Sequence, residues 1–370
     1  MGLYRYLRRK LNIQHIKEIC EDTQNKTTKC LSGICASGGG IQTRLDTLLT
    51  QQRQCLSETE SSRISRSVFL GPCWEDNFYS AIRGTDIEER YDRLVNGLSE
   101  KDTKTVETIL LRIMLLCGNG IKPSFQPEEA ERIYRNQKAL YSLSLNDHCF
   151  VYNNFKLPLN EFELSTFVCN YGLDLIDHPE YVDDRDIIDA GAYIGDSALL
   201  FDRFFQKCRR VYAFEPNPES YSLMEKTIAM NRAERIVPVK LGLGDTNTES
   251  DMTCHGMGST LLDNQFNDSR TSVANISIVR LDDYCRQNNI VPGVIKTDLE
   301  GFEMHFLQGA LETIRKYRPI MVLSIYHSAD DFFGIKPFIE SLNLGYKFKL
   351  FKADDGMILC GTCLVCIPEG

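Results

Sequence analysis

"IIDAGAYIGDSALLF" occupies Ile187–Phe201. An apolar run ends in Asp189, passes through Gly191 and Gly195, meets a second acid at Asp196, and opens a new apolar run. A short apolar run closed by such a turn reads as a buried strand, and the run that follows reads as a helix. In open α/β sheets, ligands sit beyond the carboxyl ends of strands, near the point where strand order reverses. Glycine there lets the backbone turn sharply and approach a ligand. The spacing is not the dinucleotide pattern G-x-G-x-x-G, because Gly191 and Gly195 stand four apart with Tyr193 and Ile194 between them. An acid at Asp189 would repel a pyrophosphate and suits a cation. S-adenosylmethionine, with an ammonium, a sulfonium and no phosphate, meets that description.

Working outward, the rhythm of strand and helix continues. "VYAFEPN" (Val211–Asn217) reads as a second strand, with Glu215 at its end, 26 residues after Asp189. An acid at that strand end grips ribose hydroxyls in such folds, and Asn217 can add a hydrogen bond. "IVPVKLGLGD" reads as a third strand, placing Asp245 where an adenine amino group could be read. "GVIKTDLEG" and "PIMVLSIYH" follow as strands, each with a helical run after it. "YKFKLFKAD" and "MILCGTCLVCI" close the chain as an antiparallel pair around Asp354-Asp355-Gly356. Strands alternating with helices predict a parallel sheet covered on both faces, with one terminal hairpin at its edge.

"VIKTDLEGFE" is unusual for a central strand. Lys296, Asp298 and Glu300 alternate at a spacing of two and would share one face. Charges in a central strand are costly unless paired or placed at its open end. With "IMVLSIYH" as the neighbouring strand, Asp298, Glu300 and His327 meet at one rim. Histidine is the natural base near neutral pH. His327 is therefore the expected proton acceptor, with Asp298 or Glu300 orienting it and Lys296 balancing the acids. A helix cap is the bland reading of His327. A divalent ion held by Asp298, Glu300 and His327 is the metal alternative.

"DAGAYIGDSALLF", "VYAFEPN", "VKLGLGD", "IKTDLEGFE" and "LSIYHSADDF", in this order, resemble the FkbM-type methyltransferases, over roughly residues 150–366. That family consists of S-adenosylmethionine-dependent O-methyltransferases, and its known members largely methylate sugar hydroxyls in glycans and natural products. The resemblance implies a Rossmann-like methyltransferase sheet and S-adenosyl-L-methionine as cofactor. It implies cofactor contacts at Asp189, Gly191, Gly195, Glu215, Asn217 and Asp245; Tyr193 and Asp196, on the same loop, are further candidate cofactor contacts. It also implies a functional site around Asp298, Glu300 and His327, and a sugar or glycan acceptor. A non-catalytic cofactor-binding scaffold, and a metal-assisted enzyme for another hydroxyl, are the competing readings.

The rest of the chain carries less chemistry. The expected organisation is an N-terminal segment over 1–65, helical or partly flexible, a helical region over 66–148, and the methyltransferase domain over 149–370. In the chain of 370 residues, a net charge of −9 argues against nucleic acid as partner. Residues 1–20 carry Arg5, Arg8, Arg9, Lys10 and Lys17 against Glu18 alone, so this segment is +4 and the rest −13. Leu3, Leu7, Leu11, Ile16 and Ile19 form one helical stripe there, suited to packing on protein, a dimer mate or anionic lipid. Fourteen scattered cysteines, with neither a signal-like apolar core nor an apolar stretch long enough to span a bilayer, suggest a reducing cytoplasm. The tightest cysteine group, Cys360, Cys363 and Cys366, reads as part of a buried strand in preference to a zinc knuckle.

Overall fold

The computed structural model describes residues 72–119, 125, 127–140, 144–146, 149–254 and 272–369. The basic stripe of residues 1–20 lies outside them. The helices are α1 (Pro72–Arg83), α2 (Ile87–Val95), α3 (Glu100–Asn119) and α4 (Pro127–Ala139), then α5 (Leu164–Phe167), α6 (Asp196–Phe204), α7 (Pro218–Asn231), α8 (Leu281–Asn288), α9 (Glu303–Gly309), α10 (Leu311–Tyr317) and α11 (Ala329–Ser341). The strands are β1 (Ser144–Asn146), β2 (Cys149–Tyr152), β3 (Phe155–Leu157), β4 (Asp186–Ala190), β5 (Val211–Phe214), β6 (Ile236–Val239), β7 (Gly242–Leu243) and β8 (Thr248–Cys254). They continue with β9 (Ser272–Val279), β10 (Pro292–Thr297), β11 (Ile320–Ser324), β12 (Tyr346–Lys352) and β13 (Thr362–Pro368). No helix among the described residues is long and apolar enough to cross a membrane.

The chain divides into two compact units, and the cut differs from the expected boundary after residue 148. One unit takes in the described residues up to Glu89 with Thr103–Asn136 and Asp354–Ile358. The other comprises Arg90–Asp102, Gln137–Ala353 and the chain from Leu359. Side-chain chemistry explains why Arg90–Asp102 joins the second unit. Arg90 donates to the Ala329 carbonyl at 3.1 Å, pairs with Asp330 at 2.7 Å and lies 5.0 Å from the Phe333 ring centroid. Lys336 of α11 reaches the Arg93 carbonyl at 3.4 Å. Within the first unit, Arg112 of α3 makes a two-pronged pair with Glu129 of α4 at 2.8 and 2.5 Å, beside the Phe125 ring.

The second unit is built on a seven-stranded sheet in the order β12-β13-β11-β10-β4-β5-β6. Pairing is parallel from β11 through β10, β4 and β5 to β6, and antiparallel at β11–β13 and β12–β13. Strands β4, β10 and β11 are buried along their whole length, as expected of a sheet covered on both faces. This is the Rossmann-like methyltransferase sheet with its antiparallel hairpin at the edge. Strand order reverses between β4 and β10, so the carboxyl ends of these two strands frame the crevice where a ligand binds.

Two local readings change, at "IVPVKLGLGD" and at "MILCGTCLVCI". "IVPVKLGLGD" is not one strand: β6 ends at Val239, and β7 belongs to a separate three-stranded sheet ordered β7-β9-β8. "CFVYNNFKLPL" is a hairpin, β2–β3, turning through Asn153 and Asn154 at φ 46° and 69°. Two consecutive left-handed residues are what a two-residue hairpin turn requires, and asparagine tolerates them. β13 starts at Thr362, so Met357–Gly361 belong to the connection from β12. Cys363 and Cys366, buried in β13, are three residues apart on a strand and project to opposite faces, so they cannot converge on one ion.

Candidate active site

The glycine loop begins where β4 ends. Gly191 (φ 77°), Tyr193 (φ 46°) and Gly195 (φ 86°) all adopt the left-handed region. Gly191 has a steric reason as well: a Cβ there would meet the Asp298 carbonyl oxygen at 2.0 Å. Two loops that close the reversal point thus pass backbone against backbone, and Asp298 N–H donates to the Ala190 carbonyl at 3.0 Å. Gly191 and Ala192 N–H both donate to the Phe214 carbonyl, at 3.1 and 2.9 Å, which fixes the loop on β5.

Glu215, just past β5, faces this loop. Its Oε2 accepts Tyr193 N–H at 2.9 Å and its Oε1 accepts Asn217 N–H at 2.8 Å. Burial pushes its carboxyl up to about 7, although both backbone donors work the other way. Each oxygen keeps lone-pair capacity for a ligand hydroxyl. Asn217 is the N-cap of α7, its Oδ1 accepting Glu219 N–H at 2.9 Å and Ser220 N–H at 3.3 Å. Tyr193 donates its hydroxyl to Glu161. Asp196 opens α6, and burial pushes its carboxyl up to about 7.

Lys296 balances the acids as expected, and its nearest partner is Asp189. Asp189 is fully buried and faces inward: its Oδ2 accepts the Ser197 hydroxyl at 2.7 Å, and its Oδ1 lies 3.1 Å from Lys296 Nζ. Lys296 also donates to the Gly191 carbonyl at 2.7 Å. This lysine counters burial through its acidic neighbours Asp189, Asp298 and Asp196, which hold it charged. The pair therefore ties β10 to β4 and the glycine loop beneath the crevice. Asp245 lies at the surface, where its Oδ2 meets His305 Nδ1 at 2.8 Å, and His305 stacks on Phe302 at 4.3 Å.

The polar row of "VIKTDLEGFE" is not a strand face. β10 ends at Thr297, and Asp298 and Glu300 stand in the turn beyond it, with Glu300 at φ 53°. His327 likewise lies past β11, and the helix cap beside it is Ser328, whose hydroxyl accepts Asp331 N–H. The three expected residues nevertheless meet. His327 Nε2 is 3.3 Å from Asp298 Oδ1 and 3.6 Å from Glu300 Oε2. Its Nδ1 is 2.9 Å from Oε1 of Glu303.

Glu303 was not expected in the site, and it organises the turn. Its Oε1 accepts Leu299 N–H at 2.7 Å and its Oε2 accepts Gly301 N–H at 3.0 Å. An acid three residues after Glu300, on the opening turn of α9, was the available signal. Two tyrosines complete the cluster. Tyr326 donates to Asp298 Oδ1 at 2.8 Å, and Tyr171 donates to Asp298 Oδ2 at 3.2 Å. Tyr171 is held at φ 50°, an uncommon conformation for a bulky residue, with Gly172 packed on Phe351 behind it. Tyr326 stands directly before His327 in "LSIYHSADDF", whereas Tyr171 carries no sequence signal, because it reaches the site through a tertiary contact.

Electrostatics decides the charge states. Burial disfavours a charged His327, but Glu303, Glu300 and Asp298 outweigh it and raise the imidazole well above its ordinary value. Burial also opposes ionisation of Asp298, yet His327 and Lys296 hold its carboxyl well below the usual range. The carboxylates around His327 thus favour its imidazolium form, which has no lone pair to offer an acceptor proton. Asp298, Glu303 and His327 each bring one donor atom within 4.8 Å of the others. A metal there would compete with the proton on His327 for the same ring lone pair.

The family model of the methyltransferase FkbM domain matches residues 189–348. Among curated proteins, "Methyltransferase 1" of Beauveria bassiana (strain ARSEF 2860) is 23% identical over 220 residues, covering 54% of this chain and 87% of that protein. Among solved structures, a methyltransferase FkbM from Methylobacillus flagellatus KT superposes with a TM-score of 0.51 at 19% identity. That superposition covers 79% of this chain and 61% of the bacterial one, so this chain spans about three-fifths of the relative's length. The likeness extends to the fold, with the strand-end acids and glycine loop lying inside the matched segment. Residues 189–348 are thus similar to the methyltransferase FkbM domain, and the likeness to the solved structure extends over the fold.

Proposed function

We propose that the protein is an S-adenosylmethionine-dependent O-methyltransferase acting on a hydroxyl of a sugar or glycan. The observation that carries this reading is Glu215 at the end of β5, clamped to the glycine loop through Tyr193 N–H at the reversal point of the sheet. The donor set fits the cofactor. Acids surround the crevice at Asp196, Glu215 and Asp298, while Lys296 is already paired with Asp189, an arrangement suited to a cation without phosphate. Glu215 would hold the ribose hydroxyls and the 191–195 loop the amino-acid end. When bound, S-adenosylmethionine supplies an electrophilic methyl group on a sulfonium. The chain's residues orient an acceptor hydroxyl in line with it and remove the hydroxyl proton. The free cysteines, among them Cys149, Cys208, Cys285 and Cys363, support a reducing, cytoplasmic setting.

Two measurements test the reading. Calorimetry should give S-adenosylhomocysteine binding, and labelled S-adenosylmethionine should pass label to one member of a panel of nucleotide sugars and lipid-linked glycans. Absence of S-adenosylhomocysteine binding would reject the cofactor. Binding with transfer only to a non-sugar hydroxyl would reject the acceptor class.

A further inference from the structure

We propose that Glu163, together with Asp196, seats the α-ammonium of S-adenosylmethionine, so that a segment outside residues 189–348 completes the cofactor site. This rests on the methyltransferase reading and names the group that holds the amino-acid end of the cofactor.

The acid first expected to face the cation is already taken. Asp189 is fully buried, accepts the Ser197 hydroxyl at 2.7 Å and lies 3.1 Å from Lys296 Nζ. An ammonium at the glycine loop therefore needs other carboxylates. Asp196, directly after Gly195, is the first. It is 7% exposed, and its carboxyl is met by N–H groups of its own turn. Among the described residues, no side chain makes a hydrogen bond or an ion pair with it. A buried carboxylate with so little help is costly unless a ligand brings the opposite charge.

Glu163 is the second. It stands just before α5, yet its side chain does not cap that helix. Among the described residues, its side-chain hydrogen bond is a long one, from the Ser165 hydroxyl at 3.3 Å. Contacts on either side of it fix the segment against the crevice. Glu161 accepts the Tyr193 hydroxyl of the glycine loop, and Tyr171 donates to Asp298 Oδ2 at 3.2 Å. Phe162 anchors the segment from within, its ring 4.7 Å from that of Phe167.

Glu163 is exposed, as a group that must meet a ligand has to be. Even so, crowding by protein atoms, followed by the charges of Asp196 and Asp298, pushes its carboxyl up to about 8, while Lys296 and Ser165 act the other way. Solvent contact combined with such crowding describes a group lining a recess. Asp196 is close enough for the two like charges to repel, and among the described residues no lysine, arginine or histidine forms an ion pair with either acid. Two neighbouring carboxylates without a counter-charge suit an ammonium, which is positive and carries three donors.

The test is calorimetry on full-chain Glu163→Gln with two ligands. S-adenosylhomocysteine carries the amino-acid end, whereas 5′-methylthioadenosine keeps the adenosine and thioether but has neither ammonium nor α-carboxylate. E163Q should bind S-adenosylhomocysteine about 10- to 100-fold more weakly than wild type, the loss expected when a hydrogen bond between charged groups is removed. Its affinity for 5′-methylthioadenosine should be unchanged. Without ligand, the unfolding midpoint of E163Q should not fall below that of wild type, because a repulsion has been relieved. Equal weakening of both ligands, or a lower midpoint, would make Glu163 a structural residue and overturn the proposal. Wild-type affinity of E163Q for S-adenosylhomocysteine would overturn it as well, with the cofactor reading intact. Failure of wild type itself to bind S-adenosylhomocysteine would instead reject the cofactor reading and this assignment with it.

Discussion

Glu303 Oε1 lies 2.9 Å from His327 Nδ1, and both side chains are 1% exposed. One carboxylate therefore fastens the turn after β10 to the loop after β11, because the same group accepts Leu299 and Gly301 N–H. Helix α9 opens at Glu303, and a negative charge there also suits the helix N-terminus.

Removing that carboxylate should unfasten both loops. Glu303→Ala leaves a buried imidazolium and two backbone donors short of a partner, and the expected loss is about 3–5 kcal/mol in urea denaturation. Glu303→Gln should lose less, since its carbonyl oxygen can keep one backbone donor. A loss below about 1 kcal/mol in the alanine variant would mean that the pair does not hold the turn.

The same histidine makes stability depend on pH. Its folded pKa lies above the unfolded value of about 6.5, so between those two values the native state binds the extra proton. That contribution is complete below about 6.5 and is lost as pH rises through the folded pKa. Thermal unfolding from pH 6 to pH 9 should show wild-type stability falling, with a flatter profile in His327→Gln. Parallel profiles would contradict the imidazolium.

Glu215 should matter to ligand and loop together. Glu215→Ala is expected to weaken S-adenosylhomocysteine by about 1.5–3 kcal/mol, the range for hydrogen bonds to a charged group. Wild-type affinity by calorimetry would remove Glu215 from the ribose site.

Gly191 should tolerate no side chain. Gly191→Ala places a Cβ 2.0 Å from the Asp298 carbonyl oxygen at φ 77°, so the two crevice loops must separate. The expected cost is on the order of 1–3 kcal/mol from overpacking, with loss of S-adenosylhomocysteine binding. Binding at wild-type strength would show that the loops can part without harm.

Much of the architecture was legible because it is local. Apolar runs of strand length, glycines at their ends and helical stripes after them recur along residues 186–341, and each signal lies within a few residues of its element. The strand-end acids could be picked out for the same reason, since Glu215 and Asp298 follow directly on β5 and β10. The alternating row misled for a related reason. A spacing of two in "KTDLE" fits a strand, but the backbone turns left-handed at Glu300, and Asp298 and Glu300 leave the sheet.

By itself, then, the order of residues determined the sheet-and-helix rhythm, the glycine loop, the acids at the strand ends and the likeness of residues 189–348 to the methyltransferase FkbM domain. Tertiary structure decided which groups carry which charge. Whether His327 is a base or an imidazolium depends on Glu303, Asp298 and Glu300 all lying within 3.6 Å of its ring nitrogens. Whether Asp189 meets a ligand or a lysine depends on the register that sets Lys296 beside it on β10. Tyr171 enters the site from 127 residues away in the chain. Burial and charge act through space, over a few ångströms, and residues that distant in sequence become neighbours only when the chain has folded.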